Sequence, residues 1–379
     1  MGGPSGTTST AGSAGLGSGG SADAPDGGVY DPGSLNLPTA PCEPPIGDWC
    51  QRLVTVDEYG PYEIGLDGDG RVLVAGGAVR DSNGQLDVAV LKLEPTGEVI
   101  WGRQVGSDDR DRLDGMAVDP SGNVFVAGSN LQNDDQRSFI AKVSAAGELS
   151  WFEQPDVLRS AADVAADPDG NAVLLVESGD IFKYASNGDI LWQKRAGYFV
   201  GGWAVAVDAR GDIFAILNTL DGSDAVRSGL VKLSSNGEVL WEHAISDEEA
   251  TPYALALDSG GDLLLLGITG MQKYLSRHSA TGELLFSQPL EAQKLTTADD
   301  LALDGRGNVF VVGMATDFGK PYYDAYLAKY DRDGQVLWGE ALGQRGSSST
   351  RGVAVSPEGV AYVTGDLESG AFVTRVSPP

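Results

Sequence analysis

Histidine, cysteine and methionine are almost missing from this chain, at two, two and four of 379 residues. Two imidazoles exclude a three-histidine zinc centre. The two cysteines lack the short spacing of a redox pair and have no further cysteine or histidine beside them, which argues against a metal knuckle. Positive charge is scarce as well. With 26 Lys+Arg against 54 Asp+Glu, the chain carries a net charge of −28 and no basic cluster. Such a surface repels phosphate backbones and anionic lipid, so nucleic-acid binding and electrostatic membrane docking are not expected. The first 51 residues contain no Lys or Arg. They therefore lack the basic and apolar regions of a secretory signal. No apolar run approaches the ~20 residues of a membrane-spanning helix, and the longest, near Leu263 to Ile268, has the length of a buried strand. What is present, 41% hydrophobic residues, suffices for a large core.

Residues 1–41 are rich in Gly, Ser, Thr and Pro with almost no apolar pattern, and read as a flexible linker ahead of a folded body at 42–379. Cys42 and Cys50 stand at that boundary with seven residues between them. A disulfide is the expected state, against the alternative of two free thiols, and it implies an extracytoplasmic compartment. A tethered, secreted or outer-surface protein is the expectation, with a signal or lipid anchor removed or attached upstream of the linker.

The strongest internal signal is repetition. An Asp followed three residues later by Gly and then by an apolar run occurs at Asp67, Asp119, Asp167, Asp208, Asp258 and Asp304, with Ser356 as a seventh variant. In phase with it runs a second ladder: a basic residue, a Gly five later and an aromatic four after that. Its sets begin at Lys92, Lys142, Lys183, Lys232, Arg277 and Lys329 and end at Trp101, Trp151, Trp192, Trp241, Phe286 and Trp338. Each repeat of 41 to 52 residues thus reads as two hairpins with glycine turns. The seventh repeat contains three strands, through Val373 to Val376, while Trp49-Cys50-Gln51-Arg52-Leu53 matches a fourth strand without a blade. Joining them closes a ring. The predicted fold is all-β: a seven-bladed β-propeller of four-stranded antiparallel blades closed by an N-terminal strand.

These residues resemble the bacterial SBBP-type β-propeller repeat, notably Phe139-Ile140-Ala141-Lys142-Val143, Asp324 to Tyr330 and Gly334-Gln335-Val336-Leu337-Trp338. The likeness spans about residues 48 to 379. It implies an exported or lipid-anchored surface protein and no single activity. The Gly-Glu-Val-Ile-Trp stretch at 97–101 is also similar to the tryptophan-docking repeat of PQQ quinoprotein dehydrogenases. Those enzymes have eight blades, a longer chain and a vicinal cysteine pair that is missing here.

A basic residue at one strand position in every blade, Arg375 included, is best read as part of the scaffold, with the Asp ladder as its partner. Asp67-Gly68-Asp69-Gly70 resembles the start of a calcium loop but lacks the downstream acid, and reads as a turn. His243 and His278 occupy scaffold positions. Function is therefore sought at positions that vary around the ring. Five before the ladder residue stand Tyr62, Asp114, Ala162, Trp203, Tyr253, Asp299 and Arg351, and four before it Glu63, Gly115, Asp163, Ala204, Ala254, Asp300 and Gly352. Both rows are expected at the channel mouth on the face that carries the long loops. Trp203, Tyr253, Tyr62, Tyr198, Tyr322, Tyr323 and Arg351 are the candidate ligand-binding residues there. Glu63, Asp163, Asp299 and Asp300 are the candidates for holding a divalent cation such as calcium. Aromatic faces among acids suit a sugar, a cationic group or a peptide. The leading expectation is a non-enzymatic binding or scaffold module for a protein or glycan. The alternative is an enzyme at the same mouth, a polysaccharide lyase or hydrolase or a quinoprotein.

Overall fold

A computed structural model of the protein describes residues 29–30, 39–42, 47–53, 61–79, 86–132, 135–195, 199–220, 226–245, 250–290, 295–316, 323–342, 348–367 and 370–377. Among these residues every regular element is a strand. Seven antiparallel sheets follow one another along the chain as blades 1 to 7, at 61–107, 110–153, 161–195, 199–244, 250–289, 300–341 and 349–376. The innermost strands are Pro61–Leu66, Arg110–Val118, Ala161–Ala166, Phe199–Val207, Ala250–Leu257, Asp300–Leu303 and Ser349–Val355. Each packs beside the next, and the seventh returns to the first. The ring closes as predicted: Trp49–Leu53 pairs antiparallel with Gly370–Val376, placing Trp49 opposite Arg375 and Leu53 opposite Ala371.

Because each blade is apolar on both faces, the core is divided into wedges between neighbouring blades. Leu73 and Val88 of blade 1 pack on Val126 and Phe139 of blade 2. Across the closure, Val72 and Leu91 pack on Tyr362 and Val373. Such wedges recur around the whole ring, so no blade buries its faces alone.

The two sequence ladders meet at the Asp turns. One ladder oxygen holds the turn and the other holds the cation. Asp167 Oδ1 accepts from the backbone N–H groups of Asp169 and Asn171, each at 2.9 Å, while Oδ2 lies 2.8 Å from Lys183 Nζ. Lys92, Lys142, Lys232, Arg277 and Lys329 pair in the same way with Asp67, Asp119, Asp208, Asp258 and Asp304. Burial alone would raise the Asp167 pKa, but the Lys183, Asn171 and backbone bonds hold it below the usual carboxylate range. The same lysines reach the next blade. Lys183 Nζ and Trp192 Nε1 both donate to Ser235 O, at 3.3 and 3.1 Å, and Lys142 and Trp151 both donate to Ser186 O. The indoles lie on the turn glycines of that next blade. A Cβ on Gly147 would come within 2.8 Å of the Trp101 ring, and its φ is +87°. Only glycine tolerates both conditions. Blade 7 departs from the pattern. Ser356 replaces the Asp there, and Arg375 pairs instead with Asp48, beside the closing strand.

The predicted Cys42–Cys50 disulfide is present, with Cα atoms 5.4 Å apart, and both cysteines are buried in the wedge between blades 6 and 7. Two pieces of the predicted linker are strands instead. Thr39–Pro41 pairs with Trp49–Leu53 on the outer edge of blade 7, and Val29–Tyr30 pairs with Gly106 and Ser107 on blade 1. Strands of two and three residues leave no alternation to read. Among the described residues no helix is long and apolar enough to cross a membrane.

Candidate functional site

In six blades the innermost strand slips register by one residue at the same place. Tyr62, Asp114, Ala162, Trp203, Tyr253 and Arg351 have no partner on the second strand. In blade 6 the strand starts at Asp300, directly after Asp299. The variable row five before the ladder is therefore a row of β-bulges, a device that re-aims a side chain out of the pleat. In two blades the bulged residue bonds the residue ten after the ladder on its own blade. In blade 2, Ser129 Oγ donates to Asp114 Oδ2. In blade 7, Arg351 Nε donates to Asp366 Oδ2 at 2.9 Å.

In blades 3 and 4 the residues at these two positions do not satisfy each other. Ala162 is too short to meet Glu177, and Trp203 stands beside Asn218. Together with Arg112, Asp114, Gly201 and Gly202 they line an open groove of about 460 Å³ on the loop face. Trp203 is 43% exposed, and its indole N–H makes no hydrogen bond among the described residues. Glu177 is exposed and has no cation partner among the described residues. The Asn218 carbonyl oxygen accepts from Ser228 Oγ at 3.2 Å, which leaves its amide hydrogens for the groove. At Gly202 a Cβ would meet Leu175 Cγ at 2.8 Å, so the strand approaches blade 3 closely there. Arg112 Nε lies 2.7 Å from Asp114 Oδ1 and neutralises it. Burial raises the Asp114 pKa, with Ser129 and Arg112 opposing and Glu177 adding to the rise.

Glu63, Asp163 and Asp300 lie inside the channel. Each is half-buried. Asp163 accepts from its own neighbour, Val164 N, at 2.7 Å and from Val205 N of blade 4 at 2.8 Å. Asp300 does the same with Leu301 N, at 2.7 Å, and with Val353 N of blade 7, at 2.9 Å. These two carboxylates clip adjacent blades together. Burial pushes Asp163 up to about 7 against the pull of its two N–H donors, and Asp300 up to about 6. Glu63 makes no hydrogen bond among the described residues. Burial first, then the charges of Asp300 and Asp163, push it well above the carboxylate range.

Asp299 belongs to a separate cluster with Tyr253 and Arg351. Thr350 Oγ1 donates to Asp299 Oδ2 at 3.0 Å, and Lys273 lies over the Tyr253 ring. The Tyr253 hydroxyl donates to Ala298 O at 2.6 Å, so it already bonds blade 5 to blade 6. Among the described residues no three His, Cys, Asp or Glu side chains are grouped closely enough to hold an ion, and the four acids named for a cation do not converge. Tyr323 is exposed and does not line the groove. Tyr62 sits at its bulge in Pro61–Leu66, and Tyr198 and Tyr322 lie outside the described residues. Of the predicted ligand-binding residues, the groove thus contains Trp203, joined by Arg112, Glu177 and Asn218, which the sequence reading did not select.

A larger cavity of about 750 Å³ opens on the opposite face, lined by the Asp turns with Leu66, Val118, Val207, Pro120, Pro168 and Pro357. The ladder carboxylates around it are committed to their turns and lysines.

No protein-family model and no curated protein matches the chain. Solved structures do. A catalytically inactive virginiamycin B lyase from Staphylococcus aureus with quinupristin is similar with a TM-score of 0.63 at 11% identity, over 87% of this chain and 99% of that one. A protein of unknown function from Bacteroides caccae matches with a TM-score of 0.48 at 15% identity, over 72% of this chain and 93% of that one. BamB from Moraxella catarrhalis matches with a TM-score of 0.46 at 14% identity, over 86% and 91%. At such identities what this chain shares with solved β-propellers is the fold.

Proposed function

We propose that the protein is an exported, non-catalytic binding or scaffold module that presents its loop face to a protein or glycan ligand. One observation carries this reading. Trp203 sits at a bulge outside the scaffold ladder and is 43% exposed, over a groove in which the Glu177 carboxylate and the Asn218 amide hydrogens make no bond among the described residues. Large amphipathic rings in such settings are contact residues. The disulfide agrees with an oxidising compartment, and the resemblance of the repeat to SBBP-type surface proteins points the same way. The catalytic alternative draws on Glu63, a carboxyl whose pKa burial and the charges of Asp300 and Asp163 raise well above the usual range. Against it, both oxygens of Asp163 and of Asp300 are occupied by backbone donors, which leaves Glu63 without a paired acid. Hydrogen-exchange footprinting of the full chain with surface glycans and surface-protein fractions tests the reading. Protection at 112–114, 177, 201–203 and 218 is expected. Protection confined to the Gly-turn face would refute it.

A further inference from the structure

Building on the reading of the loop face as a binding surface, we infer that the groove between blades 2 and 4 takes a neutral saccharide, with one sugar ring laid on the Trp203 indole and its hydroxyls met by Glu177 and Asn218. The argument rests on which groups the fold leaves unused. Around the ring, the bulged residue and its facing partner satisfy each other in blades 2 and 7, as Asp114 with Ser129 and Arg351 with Asp366. At the groove they do not. Among the described residues, the Glu177 carboxylate, the Asn218 amide hydrogens and the Trp203 indole N–H make no bond, and all three are left within one concavity. Acceptors and donors together beside an exposed aromatic face match a ligand whose groups both donate and accept, as sugar hydroxyls do.

Charge separates this ligand from its rivals. The Asp114 carboxylate is neutralised by Arg112, with contacts of 2.7 and 2.6 Å, and Glu177 is the other acid in the groove. A cationic ligand would lie beside the Arg112 guanidinium, whose side chain is 63% exposed. An anionic one would meet Glu177 within a molecule of net charge −28. A neutral polyhydroxylated ring meets neither penalty. The groove volume of about 460 Å³ falls within the ~300–1,000 Å³ common for small-ligand sites and has room for a short oligosaccharide.

The test is calorimetric titration of the full chain with neutral trisaccharides of glucose, mannose, galactose and N-acetylglucosamine, in parallel with phenyltrimethylammonium and a basic nonapeptide. We expect at least one trisaccharide to bind with an affinity unchanged by added salt, since no charge pair forms. Trp203→Ala should lower that affinity about tenfold or more and Trp203→Phe by less. Glu177→Gln and Asn218→Ala should each cost about three- to tenfold. Unchanged melting of the four variants shows that they fold. If the ammonium probe or the peptide binds in a Trp203- and salt-dependent way and no trisaccharide does, the ligand class is wrong while the binding surface stands. If a trisaccharide binds and all four variants retain full affinity, the groove is not the site and this inference falls, while footprinting decides whether the loop face still binds.

Discussion

The channel acids make the stability of this propeller depend on pH in an unusual direction. Asp163 and Asp300 have folded pKa values of about 7 and about 6, against ~3.9 in an unfolded chain. Between those limits the native state binds more protons than the unfolded one, so stability falls as pH rises. From pH 5 to pH 8, Asp163 keeps its proton over about two pH units and Asp300 over about one, which at ~1.4 kcal/mol per unit gives losses of about 3 and about 1 kcal/mol. The two are coupled through Asp300's charge, and both are only half-buried, so the expected loss is about 2 to 4 kcal/mol. Ordinary carboxylates have finished titrating by pH 5. Asp114 and Asp299, also raised by burial, act in the same direction, whereas His278, held below its usual pKa by burial, acts in the opposite one. Glu63→Gln is a companion test, because it replaces a carboxyl whose ionisation burial and the charges of Asp300 and Asp163 oppose, and it removes no hydrogen bond among the described residues. It should raise stability at pH 8 and do so less at pH 5, because a carboxyl whose folded pKa is raised costs stability as pH rises. Urea unfolding followed by tryptophan fluorescence at the two pH values measures both effects. Equal stability at pH 5 and pH 8, or a Glu63→Gln variant that gains nothing at pH 8, would refute the reasoning.

The closing strand should matter far more than the chain before it. A variant lacking residues 1–38 should melt within a few degrees of the full chain, and one lacking 1–54 well below it; similar melting points would contradict the closure. With Cys42 and Cys50 joined, denatured but unreduced protein should take up no maleimide. Cys42→Ser with Cys50→Ser should cost about 2–3 kcal/mol by loop-closure entropy, as read by chemical unfolding. Lys183→Ala strands the buried Asp167 carboxylate and should cost about 3–5 kcal/mol, whereas Trp203→Ala should cost under about 1 kcal/mol. A mild Lys183→Ala effect would mean that the ladder pairs are not structural.

The blades, their number and their closure were legible because the scaffold repeats the same contacts. Trp101 on Gly147 and Lys92 on Asp67 recur blade after blade, so positions that must match stand out from those that vary. The groove was half legible. Trp203 stood out as a tryptophan off the ladder, but Glu177 and Asn218 stand on the neighbouring strand, and strand register is set in three dimensions. Aligning the repeats ten residues after the ladder would have shown Ser129, Glu177, Asn218 and Asp366 as a second variable row. The channel acids stood out only as a variable row, expected at the mouth as a candidate cation site, and no three acids group closely enough to hold an ion among the described residues. Which backbone N–H groups of the next blade face a carboxylate cannot be read from one strand. Asp163 and Asp300 therefore emerge as blade clips, and the Tyr253 hydroxyl as a bond to Ala298.

The exception in blade 7 has a consequence for how the chain finds its ring. In blades 1 to 6 the ladder cation is already claimed by an aspartate of its own blade. Arg375 is released because Ser356 stands where that aspartate would be, and Asp48 claims it from more than three hundred residues away. The N-terminal strand thus has one chemical address. On any other outer edge Asp48 would meet a lysine or arginine whose charge is already matched. During synthesis this strand emerges before every blade it could mispair with, and the unclaimed arginine distinguishes its destination from six look-alikes.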